Sequence, residues 1–356
     1  MSMTSWQMVE PKKPLQRVES PVPEPGAGEV LLEVAGCGVC HTDLGFHYEG
    51  VPTKTKPPLT LGHEISGVVA DVGPGAEAWT GKAVIVPAVM PCGECDVCRR
   101  GLGNICPKQK MPGNDIPGGF ASHVVVPAAQ LCEVPMKPGA PEVGRSGVGL
   151  AELSVIADAI TTPYQAILDA GLSELDTAIF VGVGGVGGFG ALIAKTFGAA
   201  VIAIDVDPER LAALAPHVDA TFNAKELPFK ELRGAVSTFV KGQGRRRTEL
   251  KIFETSGSAA GQKTAFGLLT FGASLAVVGY TMDTVDIRLS NLMAFHATAR
   301  GNWGCLPRHY PAVLELVTSG KVRIGPFVRC FPLDEINPVF EAVHRHEMKQ
   351  RPVMVP

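Results

Sequence analysis

The chain has 356 residues, enough for about two domains, and its 46% hydrophobic and 19% charged residues allow a large buried core. Its net charge of −3 gives no basic excess of the kind that nucleic-acid binding requires. The N-terminus shows neither the apolar run of a signal peptide nor the Arg-rich pattern of a transit peptide. We therefore expect a cytoplasmic protein that binds no nucleic acid and no membrane.

The first part of the chain is predicted to be β-rich. A Pro/Gly turn cluster from Pro21 to Gly28 precedes an apolar strand from Val30 to Val34, and another strand is predicted from Ile65 to Val69. Cys40 and His63 lie in turns between these strands, where a thiolate and an imidazole suit zinc. Either residue alone is more often a packing residue, so only a nucleotide fold later in the chain favours a metal here.

Four cysteines follow in one loop with the spacing Cys-x2-Cys-x2-Cys-x7-Cys; they are Cys92, Cys95, Cys98 and Cys106. Four thiolates can close a tetrahedral shell around zinc and leave no open position, which predicts a structural zinc. Free surface thiols are one alternative. An iron–sulfur cluster is another, because the run ends in Cys-Pro as in ferredoxins, although its last gap has seven residues instead of three. The total of nine cysteines, an odd number, favours metal ligands over a disulfide framework.

A Pro/Gly-rich connection over residues 136–149 leads to a predicted helix from Leu153 to Leu168, in which Asp158 lies among apolar residues. A buried carboxylate is costly unless it has a partner. Two explanations stay open. Asp158 is either a helix cap or salt-bridge partner, or a third ligand to the metal of Cys40 and His63.

A dinucleotide site is predicted where the strand from Thr177 to Val181 meets a glycine-rich turn and a helix. Gly182 permits the tight turn, Gly184 lets the backbone approach a pyrophosphate, and Gly187 allows close packing of the helix. After a second strand, the carboxylate of Asp205 can accept hydrogen bonds from ribose hydroxyls and repel a 2′-phosphate, which favours NAD over NADP. Glycines also serve plain turns, but the order strand, glycines, helix, strand and acid favours the nucleotide site.

The alternation of β and α elements continues beyond this point, which predicts a doubly wound parallel sheet. The run from Thr177 to Ala194 is uncharged over eighteen residues, near the length of a membrane span, but six of them are glycines placed as a nucleotide turn requires. Beyond about residue 300, the helices and the last strand are predicted to rejoin the first domain. The predicted elements are helices at 208–215, 229–241, 259–269, 310–317 and 333–346, and strands at 200–204, 220–222, 250–254, 274–280 and 352–355.

Taken in order, four motifs resemble the zinc-dependent medium-chain alcohol dehydrogenases: Gly36 to Asp43, Gly62-His63-Glu64, the four-cysteine loop and the glycine run. The resemblance implies an α/β protein with a GroES-like, β-rich catalytic domain and an inserted Rossmann NAD-binding domain. We expect the catalytic domain to comprise residues 1–159 and 299–356, and the NAD-binding domain to comprise residues 160–298. The resemblance also implies oxidation of a CH–OH group with NAD, two Zn²⁺ per subunit, and a homodimer or homotetramer formed through the coenzyme domain.

The same resemblance implies that Cys40 and His63 bind the catalytic zinc. Many members have cysteine as the third ligand, whereas this chain is similar to the members with aspartate, in this sequence Asp158. A carboxylate is an acceptable zinc ligand. Thr42 is implied to bond the substrate oxygen, and Glu64 to support the zinc site or contact the metal transiently.

For the cofactor, the resemblance implies that His41 contacts the pyrophosphate and Arg210 the adenosine ribose. His47 lies two residues beyond the usual place of a proton-relay histidine and is a candidate for that role. The remaining cofactor residues come from the glycine run and the following acid; they are Gly182, Gly184, Gly185, Val186, Gly187 and Asp205.

Three further runs, at 51–58, 109–115 and 299–305, resemble members of the family that oxidise an alicyclic hydroxyacyl-CoA. Candidate contacts for the CoA phosphates are Lys54, Lys56, Arg300, Arg308 and the run Arg245-Arg246-Arg247, although a run of charges is usually a solvated face. Two other functions stay open. One is a general primary or secondary alcohol dehydrogenase that does not use CoA thioesters, and the other is a non-catalytic NAD- and zinc-binding protein.

Overall fold

The computed structural model describes residues 2–137 and 140–356 and divides the chain into two compact units. Unit 1 comprises Met1–Thr161 and Gly304–Pro356, and unit 2 comprises Thr162–Trp303. Part of the predicted connection over 136–149, namely residues 138 and 139, lies outside the described residues.

The strands form two sheets in unit 1 and one sheet in unit 2. In chain order they are β1 (Ser2–Met8), β2 (Gln16–Pro21), β3 (Glu29–Gly38), β4 (Leu59–Thr60), β5 (Glu64–Val72), β6 (Ala83–Val86), β7 (His123–Pro127), β8 (Cys132–Glu133), β9 (Thr177–Val181), β10 (Ala200–Asp205), β11 (Ala220–Asn223), β12 (Lys251–Glu254), β13 (Ser274–Val277), β14 (Thr298–Gly301), β15 (Val328–Pro332) and β16 (Arg351–Val355).

The α-helices follow the same order. They are α1 (His41–Leu44), α2 (Asp96–Arg99), α3 (Thr161–Asp169), α4 (Gly187–Thr196), α5 (Pro208–Leu214), α6 (Phe229–Gly242), α7 (Ala259–Gly267), α8 (Ser290–Phe295), α9 (Tyr310–Thr318) and α10 (Ile336–His344).

Unit 1 contains a small sheet in the order β2-β1-β4 and a larger one in the order β15-β16-β3-β5-β6-β8, with β7 also paired to β3. Apart from the parallel pair β15 and β16, the strands of the larger sheet pair antiparallel. Its apolar side chains, such as Leu32 and Ile65, form a buried core with Phe120 and with residues of α10. The C-terminal strand β16 pairs with β3 through Met354 and Cys37, so the end of the chain rejoins the first domain as predicted.

Unit 2 is a sheet of parallel strands in the order β11-β10-β9-β12-β13-β14, the doubly wound arrangement predicted from the sequence. The order reverses between β9 and β12, which opens the crevice where such sheets bind nucleotides. The unit extends to Trp303, beyond the boundary at 298 that we predicted. The physical reason is β14, which was not predicted and pairs with β13 from Ser274↔Thr298 to Val277↔Gly301.

The helix predicted from Leu153 to Leu168 is wrong as a single element. A 3₁₀ helix spans Glu152–Ala157, Asp158 follows with φ −141° and ψ −57°, and α3 begins only at Thr161. The continuous helix is broken because the backbone N–H of Ala159 donates to the side chain of Glu64 at 2.9 Å and not to a carbonyl of the preceding turn. Asp158 therefore lies at a break between helices, a position from which its side chain can point away from both.

Among the described residues, the longest helix is α6, with 14 residues, and none has the length and apolar character needed to cross a bilayer. The uncharged run from Thr177 to Ala194 is divided among β9, the glycine-rich turn over 182–186 and the first two turns of α4.

Candidate active site and metal centres

Three segments of unit 1 bring Cys40, His63 and Asp158 together. Cys40 is the N-cap of α1 just after β3, His63 directly precedes β5, and Asp158 follows the 3₁₀ helix. The Asp158 Oδ2 atom lies 3.7 Å from Cys40 Sγ and 3.4 Å from His63 Nε2. Together with a carboxylate oxygen of Glu64, these ligand atoms all lie within 4.8 Å of one another. The structure thus assembles the predicted ligand set from positions as much as 118 residues apart.

The residues fit a catalytic zinc. A thiolate, an imidazole nitrogen and a carboxylate form a three-ligand set of the kind that leaves a fourth position for substrate. Both ring nitrogens of His63 are buried and form no well-aligned hydrogen bond to any described residue, although each lies 3.4 Å from a carboxylate oxygen. A metal at Nε2 would satisfy a polar atom that otherwise carries a desolvation cost.

Asp43 holds two of these ligand segments, a role that the sequence analysis missed. Its fully buried carboxylate accepts the backbone N–H of Cys40 through Oδ2 and that of Gly62 through Oδ1, both at 3.0 Å, and Oδ1 also lies 3.4 Å from His63 Nδ1. Burial opposes protonation of His63, but the carboxylates of Asp43 and Asp158 outweigh it and raise the pKa of His63 well above its ordinary value. Because a metal binds the neutral imidazole, zinc and a proton compete for His63.

Glu64 forms a buried ion pair with Arg351, which sequence analysis also missed. Arg351 Nε donates to Glu64 Oε2 at 2.9 Å and Nη2 to Oε1 at 2.5 Å. The pair lies across β3, where Gly38 leaves room, since a Cβ there would meet Glu64 Oε2 at 2.0 Å. Burial alone would lower the pKa of Arg351, but the charge of Glu64, with a smaller contribution from Cys40, raises it above the usual value. Glu64 is thus anchored beside the metal ligands by Arg351 and by the N–H of Ala159.

The other residues predicted to take part in catalysis lie on α1 and the turn after it. Thr42 Oγ1 lies 3.7 Å from Cys40 Sγ, and His41 is exposed, with its ring 6.0 Å from that of His346. His47 is buried in the π-helical turn Gly45–Glu49, edge-on to Phe340 and without a hydrogen bond from Nδ1 to any described residue. Burial, assisted by the charge of His344, lowers the pKa of His47. The relay role of His47 and the cofactor contact of His41 stay predictions.

The four-cysteine loop forms a second cluster in unit 1. The Sγ atoms of Cys92 and Cys106 are 3.5 Å apart, as are those of Cys95 and Cys98. The Sγ–Sγ distance is 3.8 Å between Cys95 and Cys106 and 3.9 Å between Cys92 and Cys98. Sulfurs around a tetrahedral zinc, with bonds of about 2.3 Å, are about 3.8 Å apart, so the loop fits this metal. An iron–sulfur cluster would hold the thiolates farther apart because several iron and sulfide atoms lie between them. Backbone N–H groups of Glu94 and Cys95 lower the pKa of Cys92 to about 6, whereas desolvation and the neighbouring thiols raise the pKa of Cys98 to about 12. Cys92 thus favours the thiolate that binds zinc, and Cys98 must lose its proton as the metal binds.

The glycine run of unit 2 has the geometry of a nucleotide turn. Gly182 has φ +89°, and a Cβ there would lie 2.4 Å from Cα of Ser256. At Gly187, in the first turn of α4, a Cβ would lie 1.9 Å from the carbonyl oxygen of Gly182. A Cβ at Gly184 would meet only Arg210 Nη1, at 3.7 Å, so its surroundings keep space for a ligand. Gly185 is exposed, and Val186 is the N-cap of α4.

Asp205 lies at the end of β10, next to the glycine run. Its Oδ2 accepts the N–H of Val183 at 2.7 Å, and Oδ1 accepts those of Val206 and Asp207 at 2.7 and 2.9 Å. These three bonds fix the carboxylate, and the second lone pair of Oδ2 stays available to a ribose hydroxyl. Asp207 in turn caps α5, which positions Arg210 with its Nε 3.7 Å from Asp207 Oδ2. The arrangement agrees with the predicted nucleotide site.

Comparison with known proteins gives the same result over nearly the whole chain. Residues 26–136 match the alcohol dehydrogenase GroES-like domain, and residues 185–319 match the zinc-binding dehydrogenase family. An alcohol dehydrogenase of Geobacillus stearothermophilus is 29% identical, over 96% of each chain. The 2-dehydro-3-deoxy-L-galactonate 5-dehydrogenase of Pseudoalteromonas atlantica is 34% identical, over 91% of this chain and 90% of that protein. The crystal structure of an alcohol dehydrogenase from Aeropyrum pernix, 29% identical, superposes with a TM-score of 0.86 over 99% of this chain and all of that one.

The fold and the two metal clusters define a zinc-binding oxidoreductase with a GroES-like unit and a Rossmann unit. The chain belongs to the zinc-dependent medium-chain alcohol dehydrogenase family, and it acts on CH–OH groups with NAD as acceptor. Its two zinc sites are the four-cysteine loop and the cluster of Cys40, His63 and Asp158.

Proposed function

We propose that the protein oxidises the ring hydroxyl of 6-hydroxycyclohex-1-ene-1-carbonyl-CoA to the 6-oxo compound, with NAD as acceptor, in the anaerobic degradation of benzoyl-CoA. The substrate loses a hydride to NAD⁺ and a proton to solvent, and the products are the ketone, NADH and H⁺. The proposal rests on three sequence runs that resemble 6-hydroxycyclohex-1-ene-1-carbonyl-CoA dehydrogenase, at 51–58, 109–115 and 299–305.

The observation that carries the proposal is the contact between two of these runs, which are about sixty residues apart in the sequence. The backbone N–H of Lys54 donates to Asn114 Oδ1 at 2.9 Å, and that of Thr55 to the carbonyl oxygen of Asn114 at 2.9 Å. Thr55 Oγ1 donates to the carbonyl oxygen of Asp115 at 2.7 Å. The two runs therefore form one surface, which we call the paired loop.

The paired loop also lies against the turn that carries a zinc ligand. A Cβ at Gly113 would lie 2.8 Å from the backbone nitrogen of Gly62, the residue before His63. Just beyond the loop, the N–H of Gly119 donates to the carbonyl oxygen of Gly62 at 2.8 Å. A substrate group recognised by the paired loop would thus be close to the reacting centre, as a thioester β to the hydroxyl must be.

Most of the cations that we considered for the CoA phosphates have partners within their own unit. Lys54 Nζ pairs with Asp115 at 2.8 Å, Arg300 with Asp169 at 3.1 Å, and Arg246 with Asp176 at 3.3 Å. Arg245 and Arg308 donate to backbone carbonyl oxygens. Lys56 and Arg247 are different: both are exposed, and neither has an ion-pair partner within residues 2–137 and 140–356. Of the two, only Lys56 lies on the paired loop. We assign phosphate binding to Lys56.

The chain's own residues orient the reaction. Zinc, when bound, supplies a Lewis acid that lowers the pKa of the alcohol, and NAD accepts the hydride. In this proposal Thr42, whose hydroxyl lies 3.7 Å from Cys40 Sγ, takes the proton of the substrate hydroxyl and passes it toward solvent. Asp205 and the glycine run orient the nucleotide.

The test compares NADH formation from 6-hydroxycyclohex-1-ene-1-carbonyl-CoA with that from cyclohexanol, cyclohex-2-enol and the free acid at equal concentrations. We expect a kcat/KM for the thioester well above those for the other three. Equal or better turnover of the simple alcohols would discard the CoA assignment. The alternative would then apply, a general primary or secondary alcohol dehydrogenase, which the names of the Geobacillus and Pseudoalteromonas relatives support.

A second experiment locates the CoA contact. Replacing the unpaired ammonium in Lys56→Gln should raise KM for the thioester about two- to fivefold, the scale of an exposed ion pair, and leave KM for cyclohex-2-enol unchanged. Lys13→Gln, which removes another exposed lysine of unit 1 that has no ion-pair partner among the described residues, is the matched control and should change neither. An unchanged KM in Lys56→Gln would refute the role of this residue in CoA binding.

We further propose that the subunits assemble through unit 2, in the cytoplasm. The outer edge of β14 has no strand partner among the described residues. Several large apolar side chains of the same unit are 47% to 78% exposed, and a subunit contact would remove them from water; they are Tyr280, Met282, Leu289, Met293 and Trp303. Sedimentation equilibrium should give a dimer or tetramer, and Met293→Lys should shift it toward monomer.

A further inference from the structure

The backbone around Asp158 is held from both sides. Its φ of −141° and ψ of −57° lie outside the regular helical and extended regions, so the conformation depends on its neighbours. On the C-terminal side, the N–H of Ala159 is fixed by Glu64 Oε1 at 2.9 Å. On the N-terminal side, the group to be fixed is the carbonyl of Ala157, which belongs to the peptide that enters Asp158.

Three donors converge on the carbonyl oxygen of Ala157. The backbone N–H of Ala88 donates to it at 3.3 Å, and Thr161 Oγ1 donates to it at 3.2 Å. The third donor is the hydroxyl of Tyr310, which also accepts the N–H of Ala88 at 3.2 Å. Tyr310 thus joins the end of the 3₁₀ helix to the segment after β6, and its hydroxyl has both a donor and an acceptor partner.

Tyr310 is the first residue of α9 and is fully buried. A phenol is protonated at neutral pH and can donate, and burial raises the pKa of Tyr310 further. Packing alone would be served by phenylalanine, which has the same ring. A buried hydroxyl is favourable only when it is hydrogen-bonded, so its contribution at this position lies in the contact with Ala157.

We propose that Tyr310 is a positioning residue for the catalytic zinc: its hydroxyl fixes the peptide before Asp158 and so directs the Asp158 carboxylate toward Cys40 Sγ and His63 Nε2. The role of Tyr310 is the same whichever alcohol is the substrate, because it concerns the ligand and not the substrate pocket. Partners that orient a metal ligand commonly change metal affinity ten- to a hundredfold when removed, and we expect an effect of about this size.

The test is the variant Tyr310→Phe, with zinc release from the full-length protein into a chromogenic chelator as the readout. The four-cysteine site also releases zinc and serves as an internal control, so the release curve has two kinetic components. The component that is missing in Asp158→Ala belongs to the Asp158 site. We expect Tyr310→Phe to speed that component about tenfold and to leave the other component and NADH binding unchanged. Cobalt placed selectively at the Asp158 site should show a shifted d–d absorption.

Tyr164→Phe, the same chemical change in unit 2, should leave both components as they are. If Tyr310→Phe speeds zinc release equally from both sites, the variant is generally destabilised and the proposal is overturned. An unchanged rate of zinc release from the Asp158 site would also overturn it. If Tyr310→Phe does not fold, Thr161→Val removes the other side-chain donor from the same carbonyl oxygen. It should speed the same component about threefold, and no change there would equally overturn the proposal.

Discussion

The two metal centres of unit 1 are built in opposite ways. The four-cysteine centre takes all its ligands from a loop of fifteen residues, is chemically uniform and stands partly exposed. The centre of Cys40, His63 and Asp158 takes one ligand from each of three distant segments, and buried side chains hold these segments in place. The first centre needs only its loop, whereas the second needs the fold.

This difference explains the division of roles. Four thiolates fill a tetrahedral shell, so the loop centre has no place for a substrate and its metal stabilises structure. Three unlike donors leave one position open, and the rigid surroundings supplied by Asp43, Glu64 and Arg351 keep the donors aligned. Variants of each centre should therefore separate the catalytic role from the structural one.

Removing a donor from the open centre should abolish turnover without unfolding unit 2. In Cys40→Ser or His63→Ala we expect kcat to fall about a thousandfold or more, because several kcal/mol of charge stabilisation are lost. NADH binding, measured by fluorescence titration, should persist because the glycine run and Asp205 are untouched. A fully active Cys40→Ser variant would contradict the assignment.

Breaking the buried ion pair beside the open centre should cost more stability than breaking an exposed pair. Arg351→Met leaves the Glu64 carboxylate buried and unpaired, so the free energy of unfolding should fall by about 3–5 kcal/mol. The double variant with Glu64→Gln should recover part of this loss. Arg345→Met, which breaks the exposed pair with Glu341, is the control and should cost less than about 1 kcal/mol in denaturant titrations.

Removing one thiolate of the closed centre should act mainly on structure. Cys98→Ser should lose one zinc, become sensitive to protease between residues 92 and 106, and lose about 2 kcal/mol of stability. Turnover per remaining zinc should fall less than about tenfold, since no ligand of the open centre changes. Cys330→Ser, an exposed cysteine outside both centres, is the control. Abolished turnover with a folded Cys98→Ser protein would show that the two centres are not separable.

The smallest effect concerns His47, on the turn that follows the Cys40 helix. Its pKa is lowered in the folded protein, so stability is complete above the unfolded value of about 6.5 and falls as the pH drops below it. His47→Leu should reduce this acid-dependent loss by less than about 1 kcal/mol between pH 6.5 and 5.5. Exposed His217→Leu serves as control, and identical pH profiles for wild type and His47→Leu would contradict the prediction.

The sequence analysis predicted the closed centre completely and the open one in part. The loop centre is visible because its ligands follow a fixed local spacing. Cys40 and His63 came from motifs. The cost of burying a carboxylate left Asp158 as either a cap or salt-bridge partner or a third ligand, and the family resemblance implied the ligand. Arg351 escaped because its role depends on strand pairing: β16 must lie beside β3, and β3 beside β5, before Arg351 can reach Glu64. Asp43 escaped because one of its two backbone contacts is with Gly62, 19 residues away in the sequence.

The fold was predictable for similar reasons and failed where long-range contacts override local pattern. The parallel sheet of unit 2 follows from alternating strands and helices, and most of its bounds agree with the prediction. The single helix over 153–168 was wrong because Glu64 and Tyr310, remote in the sequence, take the backbone groups that would have continued it. Strand β14, four exposed residues at a sheet edge, has no apolar run from which to predict it.

The most direct test of the two-centre arrangement is zinc analysis of the wild type and Asp158→Ala, with turnover measured on the same preparations. We expect two zinc ions per chain in the wild type, and one in Asp158→Ala with turnover lost and NADH binding kept. Two zinc ions and wild-type turnover in Asp158→Ala would contradict this arrangement, because the aspartate would then be no ligand.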